Sequence, residues 1–319
     1  MKPIVWSPSR YDVANTCLMK YYFQYVRREK VDISPEQALG IFLHKRKERL
    51  FKGYPGSLEI KYKSAESFAN FSIGLWKHEV IRTNEIQGKK IVWKFKGQEY
   101  ATLKDIEELC IKTYNKCVNE EPPLYVEYER KFQLNEIYFD VIIDEIRKNY
   151  TIRDYKTGLS MPKEFQMNHF PQLTFYALAF GCFAHNDKEF ARICEVKEED
   201  AKSFGGNPDF INEKINLEYY NVKEDKVIST KRNNSDYFQL ESSLISLEDD
   251  IRNLDSKIRA NYGKHCNYCI YQQICDKEAK GILSFKENLD NQLILFPVKI
   301  KTKFKNKTLR LFPRGKVKS

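Results

Sequence analysis

Two groups of residues in this chain have types and spacings suited to chemistry. The first is Asp154-Tyr155-Lys156-Thr157-Gly158, with Phe139-Asp140-Val141-Ile142 placing a second acid fourteen residues before Asp154. Side chains alternate on a strand, so Asp154 and Lys156 project from one face and Tyr155 from the other. Two carboxylates on adjacent strands can converge on a hard divalent cation, Mg²⁺ or Mn²⁺, with the lysine ammonium beside them. That combination suits phosphodiester cleavage: the cation lowers the pKa of a bound water and neutralises charge on the phosphate, while the lysine orients the water or stabilises the transition state. The second group is Cys266-x-x-Cys269-x5-Cys275, which has metal-ligand spacing but leaves a tetrahedral site one thiolate short. Thiolate tetrads hold Zn²⁺ or iron–sulfur clusters, and spacing does not separate these.

The elements that must position these groups are legible in outline. Ser7-Pro8 reads as a helix cap with proline in the first turn, opening a helix that carries Cys17. A second helix is expected over about Pro35 to Phe51, with Gly40 and His44, and helical patterns recur near 66–84 and 101–118. From Pro123 three β-type runs follow, Tyr125 to Leu134, Ile137 to Ile146 and Tyr150 to Lys156, which predict an antiparallel meander. An Asn168 cap with Pro171 in the first turn predicts a helix through Gln172 to about Phe180. Strands are expected at Ala191 to Val196 and Lys214 to Tyr220, then an amphipathic helix over about Gln239 to Ala260.

Composition sets the frame. With 42% hydrophobic and 31% charged residues in 319, the chain reads as globular with room for a sizeable core. The longest apolar run, Phe175 to Ala184, is shorter than the roughly 20 residues that span a bilayer, and no signal-peptide core opens the chain, so a cytoplasmic protein without membrane attachment is expected. Eight cysteines in such a compartment point to metal or redox chemistry rather than disulfides. Cys110, Cys117, Cys182 and Cys194 sit in apolar contexts and read as small core residues. The formal charge is +10, but nine Lys or Arg and no acid fall after Pro297, so the basicity belongs to the tail.

The motif set resembles the PD-(D/E)xK nuclease superfamily, in particular its RecB-like exonuclease branch. Asp154 to Gly158 is similar to the D-Y-K-T-G signature, Ser7-Pro8-Ser9-Arg10 with Cys17 to the opening S-P-S-R…C helix, Gly40-x-x-x-His44 to the G-x-x-x-H motif, and Gln172-x-x-x-Tyr176 to the Q-x-x-x-Y helix. The resemblance spans residues 7 to 275 and implies an α/β restriction-endonuclease-like core, a central mixed sheet flanked by helices, with a helical N-terminal region. It implies that His44, Asp140 and Asp154, with the Tyr155 carbonyl, hold the cation, that Lys156 is catalytic, and that Gln172 and Tyr176, one turn apart on one helix face, brace the site and approach the DNA strand. Asp144 is a second acid on the strand of Asp140; its ten-residue separation from Asp154 is shorter than the family's usual hairpin, so Asp140 is preferred. Glu127 and Glu129 read as a solvated strand face, with a water-mediated contact as the alternative. The same resemblance implies that Cys17, Cys266, Cys269 and Cys275 hold a [4Fe-4S] cluster as a structural clasp, with Zn²⁺ as the alternative; the CRISPR-associated adaptation nuclease and AddB-type nuclease domains have a similar layout.

Residues 1–285 are therefore expected to form one nuclease domain, with a helical insertion over about 50–120 and the cysteine clasp, and 286–319 a basic tail. In the tail, Gln292-Leu293-Ile294-Leu295-Phe296 looks like the Q-L-x-L-F peptide that docks on bacterial sliding clamps, with an imperfect copy at Thr308 to Phe312. The expected function is a metal-dependent DNA exonuclease acting on single strands or free ends in repair, recombination or replication. The alternatives are an adaptation nuclease that trims DNA before spacer integration, and a non-catalytic, clamp-tethered DNA-binding adaptor.

Overall fold

Ser7 caps the first helix as its spacing predicts, accepting from the Arg10 amide at 3.2 Å. In the computed structural model, which describes residues 3–158, 164–167, 170–204, 214–252, 261, 263–278 and 310–311, this helix, α1, spans Pro8–Thr16 and stops at Cys17, whose backbone is extended. α2 (Pro35–Glu48) begins at a reciprocal cap in which Ser34 Oγ accepts from the Gln37 amide and the Gln37 side chain accepts from the Ser34 amide. α3 (Ala65–Leu75) and α4 (Gln98–Val118) complete the helical N-terminal part. Two small hairpins interrupt it, Phe51–Lys52 with Glu59–Ile60 and Glu85–Ile86 with Lys89–Lys90.

The central sheet comprises β1 (Val5–Trp6), β2 (Tyr125–Leu134), β3 (Ile137–Arg147), β4 (Thr151–Lys156), β5 (Asn216–Asn221), β6 (Lys226–Thr230) and β7 (Arg310–Leu311). Its order is β6-β5-β4-β3-β2-β7, with β1 pairing parallel to β3. The three strands expected after Pro123 form the antiparallel meander β2-β3-β4, and β4 and β5 are parallel. A parallel pair needs a crossover, and that connection carries α5 (Pro171–Asn186), whose residues from Leu173 to Ala184 are all buried. α6 (Asn234–Arg252) turns its Leu240, Leu244, Leu247 and Ile251 inward against the same core.

One apolar cluster joins α1, α5 and α6 to one face of the sheet; a second joins α2, α3 and α4 to the other face through Tyr155, Tyr220 and Val222. Two expectations change. Residues Ala191 to Val196 are not a strand: Asp187 Oδ1 accepts from the Glu189 and Phe190 amides at 3.0 Å and starts a short helix, Lys188–Ile193, whose Phe190 is buried. The amphipathic helix starts at Asn234, five residues before the expected Gln239. Its expected end over 253–260, the Asn168 cap and the clamp-like Gln292, Leu293, Leu295 and Phe296 lie outside the described residues.

Candidate active site

The β2-β3-β4 meander and α2 bring four groups together. His44, on the last turns of α2, points Nδ1 at Glu127 Oε1, 3.2 Å away on β2, and at Asp144 Oδ2, 3.7 Å away on β3. Single atoms of these three side chains lie within 4.8 Å of one another. Asp154 on β4 is the residue next beyond the paired Glu145–Arg153 step, so it follows Arg153 as Asp144 precedes Glu145. The ten-residue separation that argued against Asp144 is the separation that puts it beside Asp154. The Tyr155 amide donates to Asp144 Oδ2 at 2.8 Å and fixes the carboxylate.

Asp140 is a correction. It lies four residues up β3 from Asp144, on the order of 13 Å along an extended strand, and pairs with Lys131 at 3.3 Å. Ile137, Phe139, Val141 and Ile143 are buried and Tyr138, Asp140 and Ile142 are not; at Asp144 the alternation breaks, and residues 143 to 146 are all buried. Glu127 is the matching irregularity on β2: its backbone has φ 46°, and it sits opposite Asp144 between the paired steps Val126–Glu145 and Tyr128–Ile143. Strand irregularities of this kind re-aim side chains, and here they turn both acids towards His44. The sequence carries a trace of this, because the apolar alternation 137, 139, 141, 143 resumes at 146 instead of 145.

Lys156 completes the group. Its ammonium donates to Asp154 Oδ1 at 3.0 Å and to Gln172 Oε1 at 3.1 Å, and Gln172 Nε2 donates to the Tyr176 hydroxyl at 2.6 Å. Gln172 and Tyr176 thus hold the lysine through a hydrogen-bonded line from the first turns of α5. Tyr155 turns its ring the other way, into the second core, where it touches Thr113 and stands edge-on to His44 at 5.7 Å between centroids.

The electrostatics follow from burial and crowding. Asp154 is fully buried, which pushes its carboxyl up to about 6; Lys156 pulls it back and Asp144 adds to the rise. Burial would lower the His44 imidazolium, but Asp144 and Glu127 outweigh it and hold His44 above its ordinary range. Burial would likewise lower Lys156, and Asp154 with Asp144 keeps it raised. The donor set fits a hard divalent cation: one imidazole nitrogen and the Glu127 and Asp144 carboxylates converge, with buried Asp154 on the adjoining strand, its Oδ2 3.0 Å from the Lys156 ammonium. A bound cation would neutralise the crowded acids.

The cysteine motif is also drawn together. Cys17, Cys266, Cys269 and Cys275 line one cavity of about 90 Å³ with Phe23 and Tyr271, whose rings lie 5.6 Å apart. Thr16, next to Cys17, accepts from Asn261 Nδ2 at 3.0 Å, tying the helix end to the cysteine segment. Cys110, Cys117, Cys182 and Cys194 are buried elsewhere, and burial pushes all four thiols up, Cys110 to about 11 and Cys117 to about 12. Such thiols are inert core groups.

Among the described residues no helix is long and apolar enough to cross a membrane. No curated protein matches the chain significantly. The model of the PD-(D/E)XK nuclease superfamily matches residues 5–276, from β1 through the cysteine segment. The central mixed sheet flanked by helices is consistent with a restriction-endonuclease-like fold. With that match covering most of its length, the chain belongs to the PD-(D/E)XK nuclease superfamily, a group of nucleases that work with divalent metals.

Proposed function

We propose that the chain is a metal-dependent DNA exonuclease of the RecB-like branch, acting on single strands or free ends in repair, recombination or replication. The observation that carries this reading is the cluster of His44, Glu127 and Asp144, with Asp154 and Lys156 paired on the adjoining strand. His44, Glu127, Asp144 and Asp154, with the Tyr155 carbonyl, would hold Mg²⁺ or Mn²⁺, which when bound supplies charge neutralisation and an acidified water. Lys156 is placed by Asp154 and Gln172 to steer the attacking water or the developing charge on the phosphate. Gln172 and Tyr176 fix the ammonium and act through it. The four cysteines would hold a [4Fe-4S] cluster that staples the start of the domain to its end, a reading supported by their facing one cavity. The segment Gln292, Leu293, Leu295 and Phe296 would dock on a sliding clamp.

Purified full-length protein with Mg²⁺ or Mn²⁺ and end-labelled single- and double-stranded DNA tests the activity. Stepwise shortening from an end, lost in Lys156→Ala and Asp154→Ala, is expected; unchanged cleavage in both variants would refute the site. A brown protein absorbing near 400 nm is expected for the cluster, whereas a colourless, zinc-loaded protein overturns it. Clamp binding by the full chain that survives Gln292→Ala with Phe296→Ala removes the tail motif.

A further inference from the structure

The catalytic body is nearly neutral once the tail is set aside, so attraction for a polyanion must be local. Between Gln87 and Gln98 stand four lysines and no acid, interleaved with Val92, Trp93 and Phe95. The backbone here is pinned. Gln87 and Gly88 take positive φ (51° and 72°) in the two-residue turn between Ile86 and Lys89. The Ile33 amide donates to the Lys90 carbonyl at 2.9 Å, and the Val92 amide to the Ile33 carbonyl at 3.0 Å. Ile91 is buried, and Trp93 is held by Asn84 and packs edge-on to buried Trp76.

What this pinned segment leaves outside is chemically unusual for a surface. Phe95 is 59% exposed and Tyr100, in the first turn of α4, is 58% exposed, and the Gln98 amide turns back to the Phe95 carbonyl between them. Lys89, Lys90 and Lys96 are exposed and form no ion pair among the described residues, whereas Lys94 is tied to Glu36. Exposed aromatics need no explanation singly. Two exposed aromatics five residues apart, one on a turn and one at the start of the helix that follows it, with exposed lysines beside them in the chain, are the kind of surface by which single-stranded nucleic acid is held without sequence preference: bases stack on rings while lysines pair with phosphates.

The location fits the same use. Glu36, which fixes Lys94, lies on the first turn of α2, and His44 lies eight residues on, roughly 12 Å along the axis. Between them, Gly40 passes so close to Thr157, the residue after Lys156, that a Cβ would stand 3.4 Å from its hydroxyl. One helix therefore links the lysine-aromatic edge to the end of the catalytic strand and to the candidate metal centre.

We propose that Phe95 and Tyr100, with Lys89, Lys90 and Lys96, form a platform that holds single-stranded DNA leading to or from the active site. The choice of DNA rests on the nuclease reading, but the test reads binding without cleavage. The full chain in EDTA is titrated into a fluorescein-labelled oligo(dT) strand and, separately, a labelled hairpin duplex, with anisotropy followed over a range of salt. Phe95→Ala with Tyr100→Ala is expected to weaken strand binding by about 30-fold or more, leaving the salt slope and the melting temperature unchanged; Phe95→Trp alone should keep wild-type affinity. Lys89→Glu with Lys96→Glu is expected to reduce the slope of log K against log salt by about 0.7 per lost phosphate contact. The platform is overturned if wild type does not bind the strand, if both double variants bind it as wild type does, or if the aromatic variant loses strand and duplex equally. Absence of metal-dependent cleavage, by contrast, would count against the nuclease reading and leave the anisotropy result standing.

Discussion

Glu127 and Asp144 face each other across the β2–β3 ladder at a step where both strands lose their alternation, Glu127 with a left-handed backbone and Asp144 within a run of four buried residues. Both carboxylates meet His44 there. A left-handed backbone costs a non-glycine residue about 1–2 kcal/mol, so the fold retains a local penalty at the point where an acid is aimed. Glu127→Gln should therefore keep the fold and weaken Mn²⁺ at least tenfold by titration calorimetry. Glu127→Gly should weaken it as much while raising the melting temperature. Undiminished Mn²⁺ affinity in both would remove Glu127 from the centre.

Asp144 and Asp140 differ sharply in what they touch. Asp144 receives the Tyr155 amide and faces His44, whereas half-buried Asp140 pairs with exposed Lys131. Asp144→Asn should lower kcat on labelled DNA by about two to three orders of magnitude, by analogy with the loss of other groups that stabilise developing charge. Asp140→Asn should stay within about threefold of wild type, since exposed ion pairs contribute about 0–1 kcal/mol. The reverse ranking would restore Asp140.

With Asp154 among the proposed ligands, metal binding should depend on pH. Its folded value, about 6, lies above the 3.8 of an unperturbed aspartate, so the native protein keeps a proton that the unfolded chain releases. The stabilisation from that proton is complete below pH 3.8 and is lost as pH rises through about 6. A divalent cation requires the ionised form, so the gain in melting temperature from saturating Mn²⁺ should grow between pH 5 and pH 7.5. At a hundredfold excess over Kd the stabilisation is about 2.7 kcal/mol. A gain that does not change with pH contradicts the assignment of Asp154 to the cation.

On the other face of the sheet, Glu145 is buried beside Lys47 at 3.1 Å and Arg147 at 3.1 Å, and Arg153 bonds to Glu120 and Glu218. Burial would raise the Glu145 carboxyl, but Lys47, Arg147 and Arg153 outweigh it and hold it below 4.5. A depressed folded value gives stability that is present above the unfolded value and lost as pH falls through the folded one. Glu145→Gln leaves Lys47 buried without its counter-charge, and urea unfolding at pH 7 should show a loss of about 3 kcal/mol. The difference from wild type should shrink at acid pH.

Local sequence is enough to give the meander, the capped first helix and the members of the lysine line. Strand alternation, the Ser7 cap, and the four-residue spacing of Gln172 and Tyr176 are local properties, set by backbone geometry within a few residues. It also marked Lys156, Asp154 and His44, because their motifs are contiguous or one helical turn long. Ala191 to Val196 misled because a cap from Asp187 outweighed an apolar run in a neighbouring segment.

Packing, by contrast, settles which acid meets which. Asp140 and Asp144 are equivalent by composition, and the difference between them is a break of phase on two paired strands, a property of the pair and of neither strand alone. Glu127 reads as a solvated face until α2, eighty residues earlier in the chain, lays His44 against it. The four thiols share a cavity only because the end of α1 and the segment after Asn261 pack together. A strand's face is a local fact; the place where three strands and a helix point their charges is set by register and packing, which no single stretch of sequence contains.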